Sequence, residues 1–525
     1  MKPAMKKRTD PEKINSALRI SDALGEVDAS LIAETDEKRQ NPAAAPEKAD
    51  SARRAKRRKA YRIAIAAAAA FCLTFAAVKI VPGLPMRVCA LETAEYPKTA
   101  PYPTLTQTVV QGVLSGFDFS TARRNWIASR FSPRDTESRT SVSPELYAFA
   151  ARTLPFLLTP ENGENAVCSP VNVLLSSAML AEITEGDSRA ELLSLLGAGD
   201  IASVRALASA AWRECYSDDG ACTVIPASSL WLDSGLSPDS AVLKTLADTY
   251  FASSFDGKMG GAALNAALRG WLDDQTGGFL SKETKKQGFT DEDCLAVAST
   301  LQFRGKWVNP FKNADTKDGI FHSPVGDVTC SFLHKNRSAR EYYWSGQFAA
   351  VSEPFEDSGM MWLILPDEGI SPEALLSDPA LYSLLSDPCD DGYYENGVWI
   401  SEEDVPFSHK HLYVNLALPK FDVTGSTDLR QAFRSLGVVS VLSQETADFS
   451  PLSDRPDLFL SSAEHTARVA VDEEGCVATS FVVMKGAGAA APPEEEVDFV
   501  LDRPFLFVIT GYGNIPLYAG IVNQP

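Results

Sequence analysis

Basic charge is scarce in this chain: 49 lysines and arginines stand against 69 aspartates and glutamates, a net charge of -20. Gripping a nucleic-acid backbone takes a concentrated basic surface that displaces counterions, so nucleic acid is excluded as a partner of the molecule as a whole. Histidine is scarcer still, with five in 525 residues: His322, His334, His409, His411 and His465. That number alone leaves room for a Ser-His-Asp site, but no motif frames one. There is no G-x-S-x-G elbow, no G-x-x-x-x-G-K-[ST] phosphate loop and no H-E-x-x-H helix. Gly486 and Gly488 do not open a dinucleotide-binding helix, because alanines and two prolines follow them. His409 and His411 alternate on an expected strand without a carboxylate or cysteine partner at ligand spacing, and read as surface residues. The composition points away from an enzyme, and no cofactor or metal is expected.

The nine cysteines are an odd number without the spacing of a disulfide framework. Cys215 and Cys222 flank the turn-rich Tyr-Ser-Asp-Asp-Gly-Ala, a spacing that permits one small bridged loop. Cys168 and Cys294 read as ordinary buried thiols. Long apolar runs are also rare. The prominent one, Ile63 to Val78, holds Cys72 and Thr74 as its interruptions and reaches Val81 if Lys79 snorkels, close to the ~20 residues that cross a bilayer. Arg53, Arg54, Lys56, Arg57, Arg58, Lys59 and Arg62 precede it. The pattern predicts a single transmembrane helix over 60–82. By the positive-inside rule, the polar tail 1–59 is cytoplasmic and everything beyond lies outside the cell membrane. Residues 83–141 are proline-containing and aperiodic, and are expected to form a stalk.

Folded sequence is expected from 142 to 525. Leu146, Phe149, Ala150 and Leu154 recur at helical spacing, and Glu182 to Leu196 and Val242 to Phe251 are further helical stretches. Leu363 to Leu365, Leu412 to Leu418 and Phe505 to Ile509 read as strands. The class is α+β. Near the end, Ala467 to Val471 alternates like a strand and runs into the acidic turn Asp472-Glu473-Glu474-Gly475. Cys476 to Met484 follows: nine residues with no charge, no proline and no internal glycine. On strand geometry Cys476, Ala478, Ser480, Val482 and Met484 share one face. Lys485 to Glu496, rich in glycine, alanine, proline and glutamate, is too flexible and acidic for a core strand. A sheet-forming segment is thus tethered to an exposed loop.

Several segments occur in an order that resembles the serpins, over residues 142 to 525. They are Asn165-Ala-Val-Cys-Ser169-Pro170, Trp271 with Thr276 and Gly278, Phe303-Arg-Gly305-Lys306-Trp307 with Pro310-Phe311, Leu418-Pro419-Lys420-Phe421, Leu436-Gly437, His465, Glu474-Gly475 and Asp502-Arg503-Pro504-Phe505-Leu506-Phe507. The resemblance implies a serpin fold of three β-sheets with eight or nine helices and an exposed reactive-centre loop. It implies a monomeric inhibitor of a serine or cysteine protease, which cleaves the loop and is trapped as the loop inserts into the main sheet. Glu474 and Gly475 would form the hinge, Cys476, Ala478, Ser480 and Val482 the inserting face, and Ser169 and His465 the gate beneath the opening strands. Counting from the hinge glycine puts the reactive bond between Ala489 and Ala490; counting back from Pro504 gives Pro493 instead. An alanine there suits an elastase-like or subtilisin-like target. The alternative within the family is a non-inhibitory member kept for ligand carriage, chaperoning or adhesion. The chain departs from the inhibitory hinge pattern at Val477, where an acidic residue is usual, and at Phe481, whose bulk falls on the outward face. Asn172, Arg269 and Ser299 also depart from the family's usual residues.

Overall fold

The computed structural model describes residues 89–98, 142–160, 162–218, 222–356, 359–388, 392–395, 398–401, 405–476, 493 and 495–525. Strand β1, Cys89–Glu92, comes first, followed by helix α1, Ser143–Leu157, which has Pro144 in its first turn and buries Leu146, Phe149, Ala150, Leu154 and Leu157. Helix α2, Pro170–Glu182, is capped by the Ser169 hydroxyl and buried along its whole length. Its one charge, Glu182, is buried with partners, as a buried carboxylate requires: Arg205 donates to it at 2.6 and 2.8 Å and the Tyr250 hydroxyl at 2.8 Å. The helical stretch expected over Glu182 to Leu196 is in fact two helices. The chain breaks at Gly186, whose φ of +58° is cheap only for glycine.

One sheet is built from β2 (Thr223–Asp233), β3 (Ala252–Gly257), β4 (Leu295–Lys306), β5 (Phe421–Asp428), β6 (Glu464–Val471) and β7 (Gly475–Cys476) together with β1. Its order is β1-β3-β2-β4-β7-β6-β5, and the two-residue strand Ser217–Asp218 lies beside β2 to make eight. Helix α3, Ala262–Gln275, lies over one face of β4, burying Leu264 and Leu268 with Trp231 and Ala296. Helix α2 lies against the other face. The second sheet has nine strands, including Ser408–Pro419, Gly326–Trp344 and Phe505–Thr510, with Glu496–Val500 at one edge. Aromatic residues tie the sheets together: Phe421 of β5 lies 5.3 Å from the ring of Phe507. A two-stranded hairpin pairs Gly392–Glu395 with Val398–Ser401.

Several expectations change here. Ten α-helices appear among the described residues where eight or nine were expected, two of them single turns, Ser281–Thr284 and Pro372–Leu375. Residues 83–141, expected as a stalk, contribute β1 to the first sheet, paired antiparallel with β3. Tyr96 packs its ring 5.2 Å from Trp212 and 5.8 Å from Tyr216. Cys215 and Cys222 are separate thiols, not a bridge. Cys215 closes the helix Ile201–Cys215 facing the core, where burial raises its pKa and keeps it from the thiolate that oxidation needs. The predicted membrane helix lies outside the described residues. Among the described residues no single helix is long and apolar enough to cross a membrane.

Candidate functional site

The acidic turn after β6 is a tight hairpin. Asp472 N–H donates to the Gly475 carbonyl at 3.0 Å, and the Asp472 side chain accepts from Glu474 N at 2.9 Å and Gly475 N at 3.1 Å. Aspartate favours this arrangement because its short carboxylate reaches backbone amides two residues on. The turn is fastened to β4 and its extension: Trp307 N donates to the Glu474 carbonyl at 3.1 Å, Phe311 N to that of Glu473 at 2.8 Å, and Trp307 Nε1 to that of Asp472 at 3.0 Å. Glu473 takes Lys420 Nζ at 2.8 Å and Thr316 Oγ1 at 2.9 Å. Partial burial works against its charge, but these donors win and hold the carboxyl below the usual range.

Beyond the turn, β7 stands between two strands. Cys476 pairs with Val471 of β6, while Gly475 and Cys476 pair with Lys306 and Gly305 of β4, both antiparallel. Gly475 has no room for a side chain. A Cβ there would meet the Gly305 carbonyl oxygen well inside van der Waals contact and the Lys306 Cα at 2.9 Å. Cys476 is buried, and burial raises its thiol pKa.

Below β7, β4 and β6 run parallel and meet again at one bridge, Ala296 with Ser462. The offset between the strands is the same at the bridge as at the hinge, and neither strand carries a bulge in its other ladder. Between those points, 297–304 and 463–470 form no ladder with each other among the described residues. The seam has a cavity on each face. The one on the α3 side, about 80 Å³, is lined by Leu268, Leu272, Leu280, Phe289, Thr300 and Thr466. The one on the α2 side is lined by Ser176, Leu180, Val297, Ser299, Leu429 and Phe433.

The two residues expected at the gate are brought together there. His465 Nε2 accepts the Ser169 N–H at 3.0 Å, which fixes the ring as the tautomer protonated on Nδ1. Nδ1 has no hydrogen-bond partner, and burial lowers the His465 pKa to about 4. Ser169 Oγ accepts from Asn172 N at 3.3 Å. The Ser176 and Ser299 hydroxyls lie 2.8 Å apart, joining α2 to β4. Ser176 and Thr316 were not singled out in the sequence. Ser176 lies four residues after Asn172, on the same helix face, and that spacing was its signal; for Thr316 there was none. His409, read as a surface residue, is buried. His409 and His411 each place Nδ1 2.9 Å from an oxygen of Glu341, across the strand pair.

Glu474, Gly475 and Cys476, expected at the hinge, thus lie in the turn after β6 and in β7 between β4 and β6. Ala478, Ser480, Val482, Ala489 and Ala490 lie outside the described residues. Pro493 lies just before the downstream anchor. There the Glu495 carbonyl accepts Tyr413 N at 2.9 Å, Lys410 pairs with Glu495 at 2.6 Å, and Glu496–Val500 pairs parallel with Ser408–Pro419.

The chain matches the family model described as serpin (serine protease inhibitor) over residues 145–525. It is 31% identical to serpin-Z5 of Oryza sativa subsp. japonica, over 69% of this chain and 85% of that protein. It is 25% identical to a serine protease inhibitor of Cyanea capillata, over 70% of this chain and 94% of that protein. Among solved structures, tengpin, a thermophilic serpin in its native state, superposes with a TM-score of 0.61 at 22% identity, covering 73% of this chain and 94% of that one. The native stressed conformation of Arabidopsis AtSerpin1 does so with a TM-score of 0.61 at 22% identity, covering 74% and 100%. The family is one of protease inhibitors and not of enzymes, and this chain belongs to it: the protein is a serpin.

Proposed function

We propose that the protein is a suicide-substrate inhibitor of serine proteases, displayed on the outer face of a membrane by the apolar segment Ile63 to Val78. The observation that carries the inhibitory reading is the register of β7. Continued without a bulge, the pairing of Gly475 with Lys306 and of Cys476 with Val471 sets Met484 opposite Val297 and Ala463, and Lys485 at the Ala296–Ser462 bridge. On insertion in this register, the uncharged run Cys476 to Met484 has the length to span the seam from hinge to bridge. Ala478, Ser480 and Val482 fall opposite Phe303, Leu301 and Ser299 on β4 and Val469, Ala467 and His465 on β6, all buried. A small inward face arrives on a buried row.

The chemistry belongs to the target. The protease serine Oγ attacks the Ala489 carbonyl carbon and the Ala489–Ala490 amide breaks. The Ala490 amine leaves with a proton, and an ester joins Ala489 to the protease. The freed strand then inserts, and Ala489 emerges just past the end of β4 with the protease attached. Pro493 fits the reactive bond less well, because it adjoins the Glu495–Tyr413 anchor while a protease cleft grips extended chain on both sides of the bond.

Incubation with an elastase-like or subtilisin-like protease is expected to give an SDS-stable covalent band at the summed mass, together with a higher Tm for the cleaved protein. Cleavage with neither result sinks the inhibitory reading in favour of a carrier, chaperone or adhesion role.

A further inference from the structure

We propose that the cavity between β4 and α3 is the docking socket for Phe481, so that this residue locks the inserted strand from the outward side. The inference rests on the insertion reading above. Cross-strand partners in antiparallel pairing share a face, and the β7 register sets Phe481 opposite Thr300 of β4 and Thr466 of β6. Both residues line the cavity, whose far wall is Leu268 and Leu272 of α3 with Leu280 and Phe289. The outward row below that of Phe481, Val483 opposite Ala298 and Glu464, borders the same cavity, whereas the two rows above differ in kind. Val477 meets Arg304 and Ala470 near the solvent-facing top of the sheet, and Thr479 meets the polar pair Gln302 and Arg468. The largest outward side chain of the segment thus falls on a row that opens into this hollow, whose lining mixes the leucines and Phe289 with Glu283 and Gln287. Cys476 is already in this register, and residues 477–492, which lie outside the described residues, are enough in number to reach the row.

Size sharpens the inference. A cavity of roughly 150 Å³ holds benzene, whereas this one is about 80 Å³, so docking the ring requires the cavity to widen, with α3 shifting away from β4. Phe481 bulk is then not an obstacle on an exposed face but a filling for a space the uninserted fold leaves open.

The test uses the full chain, cleaved in its loop, and compares wild type with Phe481→Ala, Leu272→Phe and the double variant; Leu272 lines the same cavity from α3. The wild-type Tm is expected to rise on cleavage, with Phe481→Ala losing roughly 5 °C of that rise. Leu272→Phe narrows the socket and is expected to slow insertion, raising the stoichiometry of inhibition. Removing the Phe481 ring in the double variant is expected to restore it. A rise in Tm unchanged by Phe481→Ala, or stoichiometries that add without coupling, overturns the socket alone. No rise in the wild type overturns insertion and the socket with it.

Discussion

His465 shows how much a single residue can report. Its ring is buried against Ser169, and burial lowers its pKa from 6.5 to about 4. The unfolded chain therefore binds a proton on this residue at a pH where the folded chain does not. With more protons bound in the unfolded state, stability rises with pH. The contribution of the neutral ring is fully present above ~6.5 and drains away as pH falls toward 4. A shift of that size corresponds to ~3 kcal/mol. Denaturation midpoints measured at pH 7.5 and pH 4.5 are expected to fall steeply for wild type and less for His465→Gln, whose amide can still accept from Ser169 N. Equal slopes for the two proteins would show that the imidazole is not sealed in the folded state.

At the scale of the element, the proposed mechanism makes the hairpin after β6 the feature that poises the loop. Gly475→Ala sets a methyl against the backbone of Gly305 and Lys306, and the backbone on either side is held by the Trp307 bonds to Glu474 and Asp472. The clash costs about 1–3 kcal/mol if the hairpin stays docked; otherwise β7 lifts from β4. The expected outcome is a higher stoichiometry of inhibition and faster amide exchange at Trp307. A variant with wild-type exchange and stoichiometry would mean that Gly475 tolerates a side chain and has no docking role. Much of this element was legible in the sequence. An acidic turn, a glycine and a chargeless run are local chemistry, readable from residue types alone. The seam was not, because β4 lies some 170 residues upstream of β7 and nothing local states which strands flank which. Ser169 and His465 came through the family's pattern; their contact is set by the packing of α2 on the sheet.

At the scale of the whole molecule, the boundary was the least legible feature. Cys89–Glu92 is too short for periodicity to mark it, and Tyr96 declares itself only once Trp212 and Tyr216 are folded around it. The disulfide expectation failed for the opposite reason. A turn-rich spacing permits a bridge, but each thiol is placed by what it adjoins: Cys215 ends a helix and Cys222 lies just before β2. The membrane reading rests on composition that lies outside the described residues: the basic cluster Arg53 to Arg62 followed by Ile63 to Val78. It therefore yields a prediction of its own. Trypsin added to intact cells meets Arg123, Arg124, Arg130, Arg134 and Arg139 between the apolar segment and α1, and these face the medium if the positive-inside rule holds. Shaving is expected to separate the carboxy-terminal domain, read by an epitope at Pro525 on a denaturing gel, from a protected amino-terminal fragment, because β1 holds the cut pieces together until they are denatured. Full protection of both ends until detergent is added would overturn the orientation. Loss of both ends would overturn the membrane span while leaving the inhibitory reading of the hinge and seam intact.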